Sequence, residues 1–158
     1  MNIEIERKFI VKPDKWNPKI KGVLYHQNYL SITDKSVVRV RIKGTEATLT
    51  VKSSGTGLTR EEYQYKIPVE DAEKLLQLCS YRTIEKIRYK IDDQGHRWDV
   101  DKFKGENGGL LLAEVELESE TEAVILPEWI GEEVTGAPRY YNATLIQNPF
   151  QFWMNKKE

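Results

Sequence analysis

Ser36-Val37-Val38-Arg39-Val40-Arg41-Ile42-Lys43 is followed by Gly44-Thr45, and then by Glu46-Ala47-Thr48-Leu49-Thr50-Val51-Lys52-Ser53. In the first run Val38, Val40 and Ile42 alternate with Arg39, Arg41 and Lys43; in the second, Ala47, Leu49 and Val51 alternate with Thr48, Thr50 and Lys52. A period of two belongs to a β-strand, whose successive side chains point to opposite faces. The Gly44-Thr45 gap is too short for a crossover, so the two strands pair antiparallel. The same pattern continues outward on both sides. Strand-like runs occur at 2–12, 23–33, 58–68, 82–92, 96–104 and 109–118, which with 36–43 and 46–53 makes eight. Turn residues separate them, such as Asp34, the 53–57 stretch with Gly55 and Gly57, Asp92 to Gly95, and Gly105 to Gly109.

Helical signals are few. Residues 70–79 carry Ala72, Leu75, Leu76 and Cys79 on one stripe, with Cys79 expected as a buried small hydrophobe. Pro127 is suited to open a helix over 127–133. A third helix is expected over 140–147, closed by Pro149, ahead of a solvated tail at 155–158. No linker or repeat divides the chain, so residues 1–158 read as a single domain of mainly β, α+β class.

Charge narrows the partners. Twenty-four basic and 25 acidic side chains give a formal net charge of -1. That balance gives no support for nucleic-acid or anionic-membrane binding. Glu4, Glu6, Arg7 and Lys8 interrupt the N-terminal stretch, which therefore does not read as a signal peptide. The single Cys79 has no internal disulfide partner, which fits a reducing compartment; a cytoplasmic location is expected.

The placement of charge is more informative than its sum. Glu4, Glu6 and Lys8 share a face; so do Arg39, Arg41 and Lys43; Arg60, Glu62 and Gln64; Lys86, Arg88 and Lys90; Asp99 and Asp101; and Glu114, Glu116 and Glu118. On any one half-buried strand the plain explanation is a solvated outer face. Across all strands the faces are sorted, however. Cations dominate the strands of Arg39, Lys52 and Lys86, and carboxylates those of Glu4, Asp99 and Glu114. Solvent faces prefer interspersed signs, and about eight antiparallel strands are enough to close a barrel around side chains and one small ligand. Turned inward, the sorted faces make a tunnel with a cationic and an acidic wall.

Clustered Arg and Lys match a polyanion, guanidinium groups meeting phosphate oxygens in bidentate geometry. Paired carboxylates would repel phosphate unless hard cations such as Mg²⁺ or Mn²⁺ stand between them. The two halves together point to metal-assisted phosphoryl chemistry.

These residues resemble the CYTH superfamily, the triphosphate tunnel metalloenzymes. Glu4-Ile5-Glu6-Arg7-Lys8 is similar to its ExExK signature. Arg39 and Arg41, Lys52, Lys86 and Arg88, the Trp98-to-Phe103 segment with Asp101, Glu114 and Glu116, and Gly131 to Thr135 with Tyr141-Asn142 follow in family order. The resemblance implies an eight-stranded antiparallel tunnel with flanking helices. It implies a small triphosphate substrate, held by Lys8, Arg39, Arg41, Lys52, Arg60, Lys86 and Arg88. It implies Mg²⁺ or Mn²⁺ on Glu4, Glu6, Glu114 and Glu116, with Asp101 and Glu62, and Tyr29 orienting a terminal phosphate. Glu4, Glu6, Lys8, Glu114, Glu116 and Tyr29 then form the catalytic set. Short bacterial members resemble this chain best, which implies hydrolysis of tripolyphosphate to pyrophosphate and phosphate. Thiamine triphosphatase, nucleoside triphosphatase, class IV adenylate cyclase and a non-catalytic polyphosphate-binding module are the alternatives. Pairing into a homodimer is a family expectation. One departure stands out: Gln64 occupies a position where relatives often carry a carboxylate. His26 and His96 lack partners at metal-ligand spacing, and Glu122 reads as solvated.

Overall fold

A computed structural model of the chain describes residues 2–55 and 57–153. Among them run nine strands: β1 (Ile3–Val11), β2 (Val23–Ile32), β3 (Ser36–Lys43), β4 (Glu46–Ser53), β5 (Thr59–Ile67), β6 (Ile84–Asp93), β7 (His96–Phe103), β8 (Leu111–Glu116) and β9 (Ile130–Glu133). Two α-helices, α1 (Val69–Gln77) and α2 (Asn142–Leu145), and three 3₁₀ turns complete the described elements. The first eight strands correspond to the eight expected runs. They pair antiparallel in the order β5-β4-β3-β2-β6-β7-β8-β1, and β5 meets β1 again to close the barrel.

The closure is uneven. One edge of β1 is shared, with Ile3, Glu4 and Ile5 facing β5 and Phe9 and Val11 facing β9. Between them, Lys8 donates its backbone N–H to the Thr135 hydroxyl at 2.9 Å and accepts from Val134 N–H at 2.8 Å. The segment after β9 therefore fills the seam that β5 leaves.

The barrel is charged inside and apolar outside. Val40 and Ala47, on the outward alternation of β3 and β4, pack under Ala72, Leu75 and Leu76 of α1. Helix α1 starts with Glu70 and Asp71 and has Lys74 near its end, signs that suit the helix dipole. Trp98, Val100, Val115 and Phe9 form a second outward cluster, covered by Trp16, Trp129 and Ile130. Leu145, Ile146 and Trp153 join Tyr29, Ile84, Phe103 and Leu112 in a third.

Several local expectations are corrected. Residues 127–133 do not form a helix. Ile130 N–H bonds back to the Pro127 carbonyl at 3.1 Å in a single turn, and the chain then runs as β9. Ile130 gains a place beside Phe9 and Trp98, and Gly131 crosses β1 so closely that an added Cβ would meet the Ile10 carbonyl oxygen at 3.0 Å. The 140–147 helix shrinks to a 3₁₀ turn, Pro138–Tyr140, and the short α2. Cys79 lies past the end of α1 and is only partly buried. Glu122 is tied to His96 through Oε2, while its Oε1 accepts the Glu118 N–H at 2.7 Å. The tail at 155–158 lies outside the described residues.

Candidate active site

The barrel encloses a cavity of about 1050 Å³, lined by the inward alternation of the strands and by part of the segment after β9. Its lining includes Glu4, Glu6, Lys8, Tyr29, Arg39, Arg41, Lys52, Arg60, Glu62, Lys86, Arg88, Glu114 and Glu116. Gln64 also borders the cavity but is exposed. Asp101, expected with the metal-holding carboxylates, does not line it.

The acidic wall is built by β1, β5 and β8. Register puts Glu6 opposite Glu116 and Lys8 opposite Glu114. Like charges facing each other across a ladder are unfavourable, so the protonation of this wall is uneven. Glu6 is pushed up to about 8, first by burial and then by the charges of Glu114 and Glu4. Burial with Glu4 raises Glu62, and burial with Glu4 and Asp99 raises Glu116. Glu4 is held low despite burial because Lys52 Nζ lies 2.8 Å from its Oε1. Glu114 is held well below the usual carboxylate range: burial opposes this, but Lys8, Arg88 and Lys86 outweigh it. Lys8 Nζ lies 3.5 Å from Glu114 Oε1 and donates to the Tyr140 carbonyl at 3.3 Å.

The cationic wall is built by β3 and β6, and its groups are held in place. Arg88 donates Nε and Nη2 to the two oxygens of Asp101 at 2.7 and 2.8 Å. Lys86 Nζ lies 2.8 Å from Asp101 Oδ2 and donates to Asn142 Oδ1 at 3.1 Å. Arg41 donates Nε to Gln27 Oε1 at 2.8 Å, and Gln27 donates to the same Asn142 oxygen at 2.9 Å. The Tyr25 ring lies 5.0 Å from the guanidinium carbons of both Arg41 and Arg88. Arg39 donates to Thr50 at 3.3 Å, while its buried Nε has no hydrogen-bond partner among the described residues. Burial and the neighbouring cations lower Arg41 to about 9. Lys86 is lowered to about 7 by burial, with Asp101 opposing and Arg88 and Arg41 adding.

Asp101 is thus the internal counter-ion of this wall. It is 2% exposed, its carboxylate is held well below the usual range against burial by Arg88 and Lys86, and both its oxygens are engaged. Asp99, two residues earlier on the same face, does border the cavity. Its Oδ1 is buried without a hydrogen-bond partner among the described residues. Among those residues no three His, Cys, Asp or Glu side chains stand in a ready chelating cluster. Tyr29 is buried, lies opposite Arg39 in the ladder and borders the cavity.

The sequence places Asp99 on a carboxylate face and Tyr141-Asn142 in a family-like segment, but it assigns no binding role to these three or to Tyr25 and Gln27. Tyr25, Gln27 and Asp99 carry a usable signal, since each lies two residues from a neighbour on its strand's inward face. Tyr141 and Asn142 follow no strand period, and only the fold brings them to the cavity.

The CYTH domain profile matches residues 2–144. An inorganic triphosphatase of Acetivibrio thermocellus is 48% identical over 152 residues, covering 96% of this chain and 97% of that protein. An inorganic triphosphatase of Nitrosomonas europaea is 43% identical over 149 residues, covering 90% and 95%. A crystal structure of an inorganic triphosphatase superposes with a TM-score of 0.66 at 38% identity, over 90% of this chain and 93% of that one. A Pyrococcus furiosus protein, 20% identical, shares the fold with a TM-score of 0.56 over 75% of this chain and 80% of its own. No helix among the described residues is long and apolar enough to cross a membrane. With its inward ExExK strand, its closed eight-stranded tunnel and a profile match over nearly its whole length, the chain belongs to the CYTH domain family.

Proposed function

We propose that the protein hydrolyses inorganic triphosphate, tripolyphosphate, to pyrophosphate and phosphate with Mg²⁺ or Mn²⁺, in the cytoplasm. The observation that carries the reading is the facing of two sorted walls across one cavity: Arg39, Arg41, Lys86 and Arg88 on one side, Glu4, Glu6, Glu114 and Glu116 on the other. The two relatives named inorganic triphosphatase, at 48% and 43% identity, support it.

The donor set fits a hard divalent cation. It is all carboxylate oxygen, and burial, together with the charges of Glu114 and Glu4, lifts Glu6 to about 8 despite Lys52 and Lys8, so a cation entering there would relieve both. Glu4, Glu6, Glu114 and Glu116, with Glu62, would hold the metal, whose share is neutralisation of phosphate charge and activation of a water. Mg²⁺ keeps several waters and uses few carboxylates beside substrate oxygens, so a preformed protein cage is not required. Asp101 is left out of this set, because Arg88 and Lys86 already use its oxygens; it positions those cations.

The remaining work falls to the chain's own groups. Arg39, Arg41, Lys86 and Arg88 grip the phosphate oxygens from one side, and Lys8, Lys52 and Arg60 from the other. Tyr29, beside Arg39, orients the terminal phosphate. In hydrolysis, water oxygen bonds to the terminal phosphorus as the bridging P–O bond breaks, and the leaving pyrophosphate takes up negative charge that these cations stabilise.

Phosphate release from tripolyphosphate, ATP and thiamine triphosphate, each with Mg²⁺, Mn²⁺ or EDTA, tests the reading. Fastest release from tripolyphosphate, lost in EDTA, is expected. A faster rate on ATP or thiamine triphosphate would move the substrate, and release indifferent to EDTA would remove the metal. Tight tripolyphosphate binding with no release from any substrate would make the protein a binding module.

A further inference from the structure

Tyr141 is the last residue before α2 and reaches the cavity through the seam beside β1. Its ring is flanked by two cations: the Arg60 guanidinium carbon lies 4.5 Å from the ring centroid, and Lys8 Nζ lies 5.6 Å from it. Arg60 is steadied by donating Nη2 to the Gly55 carbonyl at 2.8 Å, and Lys8 by the Tyr140 carbonyl. The Tyr141 hydroxyl is buried and has no hydrogen-bond partner among the described residues. A phenolic O–H is a good donor, and leaving one buried without an acceptor is unfavourable. Its surroundings offer positive charge, which no donor bonds to.

The acceptor that fits is an anion drawn in by those cations. The buried, unpartnered Nε of Arg39 is a second donor in the same cavity with its bond unmade. We infer that Tyr141 is a substrate-binding residue whose hydroxyl donates a hydrogen bond to the phosphoryl group held between Lys8 and Arg60. The inference rests on the proposed triphosphate reading and adds a neutral donor to a grip otherwise made of charges. It also gives the segment after β9 a function: it closes the seam and delivers this hydroxyl.

The test compares Tyr141→Phe with the unaltered protein by two measurements. The first is calorimetric binding of tripolyphosphate in EDTA, so that no turnover intervenes; the second is the Tm of the ligand-free protein. Loss of the hydroxyl should weaken tripolyphosphate binding about tenfold, as expected for one hydrogen bond to a charged group. The ligand-free Tm should hold or rise, because a buried unpaired hydroxyl has been removed. A purely structural tyrosine would give the opposite pair, a lower Tm with unchanged affinity, and that result overturns the inference. Unchanged affinity at unchanged Tm overturns it as well, while leaving the triphosphate reading intact so long as the unaltered protein binds. Failure of the unaltered protein to bind tripolyphosphate in EDTA would overturn the inference, which needs a metal-free grip, and failure to release phosphate from it with Mg²⁺ as well would remove both.

Discussion

The two walls of the tunnel carry comparable densities of charge and treat it in opposite ways. On the cationic wall the surplus is tied down: Asp101 spans Arg88 and Lys86, and Gln27 with Asn142 links Arg41 to Lys86. On the acidic wall the counter-ions Lys8 and Lys52 engage Glu114 and Glu4, and Glu6 is left to hold a proton near neutrality. A wall that must present fixed donors to a polyanion gains from internal bracing, because preorganised groups need no rearrangement when the ligand arrives. A wall that must bind a cation gains from unneutralised carboxylates. The difference therefore predicts that damage to the bracing of the first wall appears mainly as lost stability, and damage to the carboxylates of the second mainly as lost activity.

The strongest break of the comparison is Asp101→Asn. It leaves Arg88 and Lys86 buried beside a neutral amide, and removing one partner of a buried ionic group costs about 3–5 kcal/mol. Denaturant unfolding should show that loss, and tripolyphosphate should restore part of it by supplying the missing negative charge. A stability change under about 1 kcal/mol would mean that Asp101 is not the brace. Next comes Glu4→Gln on the acidic wall. It should lower Mg²⁺-dependent phosphate release about 10- to 100-fold, on the scale known for groups that support a catalytic metal. The loss of Tm should be smaller than for Asp101→Asn, because Lys52 keeps Glu62 at 3.6 Å. Near-normal turnover would end the assignment of Glu4 to the metal.

The pH behaviour of the ligand-free protein sharpens the contrast further. Glu6 is raised from 4.5 to about 8, so its contribution to stability is complete below pH 4.5 and is lost as pH rises through 8. Lys86 is lowered from 10.5 to about 7, so its charged form is a penalty below pH 7 that is relieved between 7 and 10.5. In EDTA the Tm should fall from pH 5 to 7 by on the order of 5 °C and level off or recover above 8. Mg²⁺ competes with the Glu6 proton, so its stabilisation should grow with pH; tripolyphosphate favours charged Lys86, so its stabilisation should shrink. A melting series in Glu6→Gln should lose the acid-side slope and keep the alkaline one. Parallel shifts for both ligands would mean that the two walls do not titrate separately.

Much of this was legible because a strand's alternation is a local property. Arg39 and Arg41, or Glu114 and Glu116, share a face whatever the rest of the chain does, and sorting by sign then points inward. Asp101 shows the limit of that reasoning. Alternation puts it on the inward face, but whether its oxygens serve a metal or an arginine depends on the β6–β7 register that sets Arg88 opposite it. Ile130 shows another. Pro127 carries a real helix-start signal, yet the edge of β1 and the pocket beside Trp98 outweigh it. Tyr141 and Asn142 are marked in the sequence by family resemblance alone; their segment has no period, so their contacts with Lys8 and Lys86 appear only in the closed barrel.

The smallest effect is expected at Gln64, at the exposed end of the acidic wall. At Gln64 the family resemblance leads one to expect a carboxylate, but the side chain is exposed, two residues along β5 from Glu62. Glu62 is already raised by burial and by Glu4, so a further carboxylate on that strand adds repulsion rather than a missing ligand. At an exposed position that repulsion is screened by water and salt. Gln64→Glu should therefore change Mg²⁺-dependent turnover by less than about threefold, a difference under 1 kcal/mol. The metal concentration for half-maximal rate is the more sensitive readout, and it should move by no more than the same factor. A tenfold gain in metal affinity would show that the acidic wall extends to the tunnel mouth, and that Gln64 is where this chain has given up a ligand.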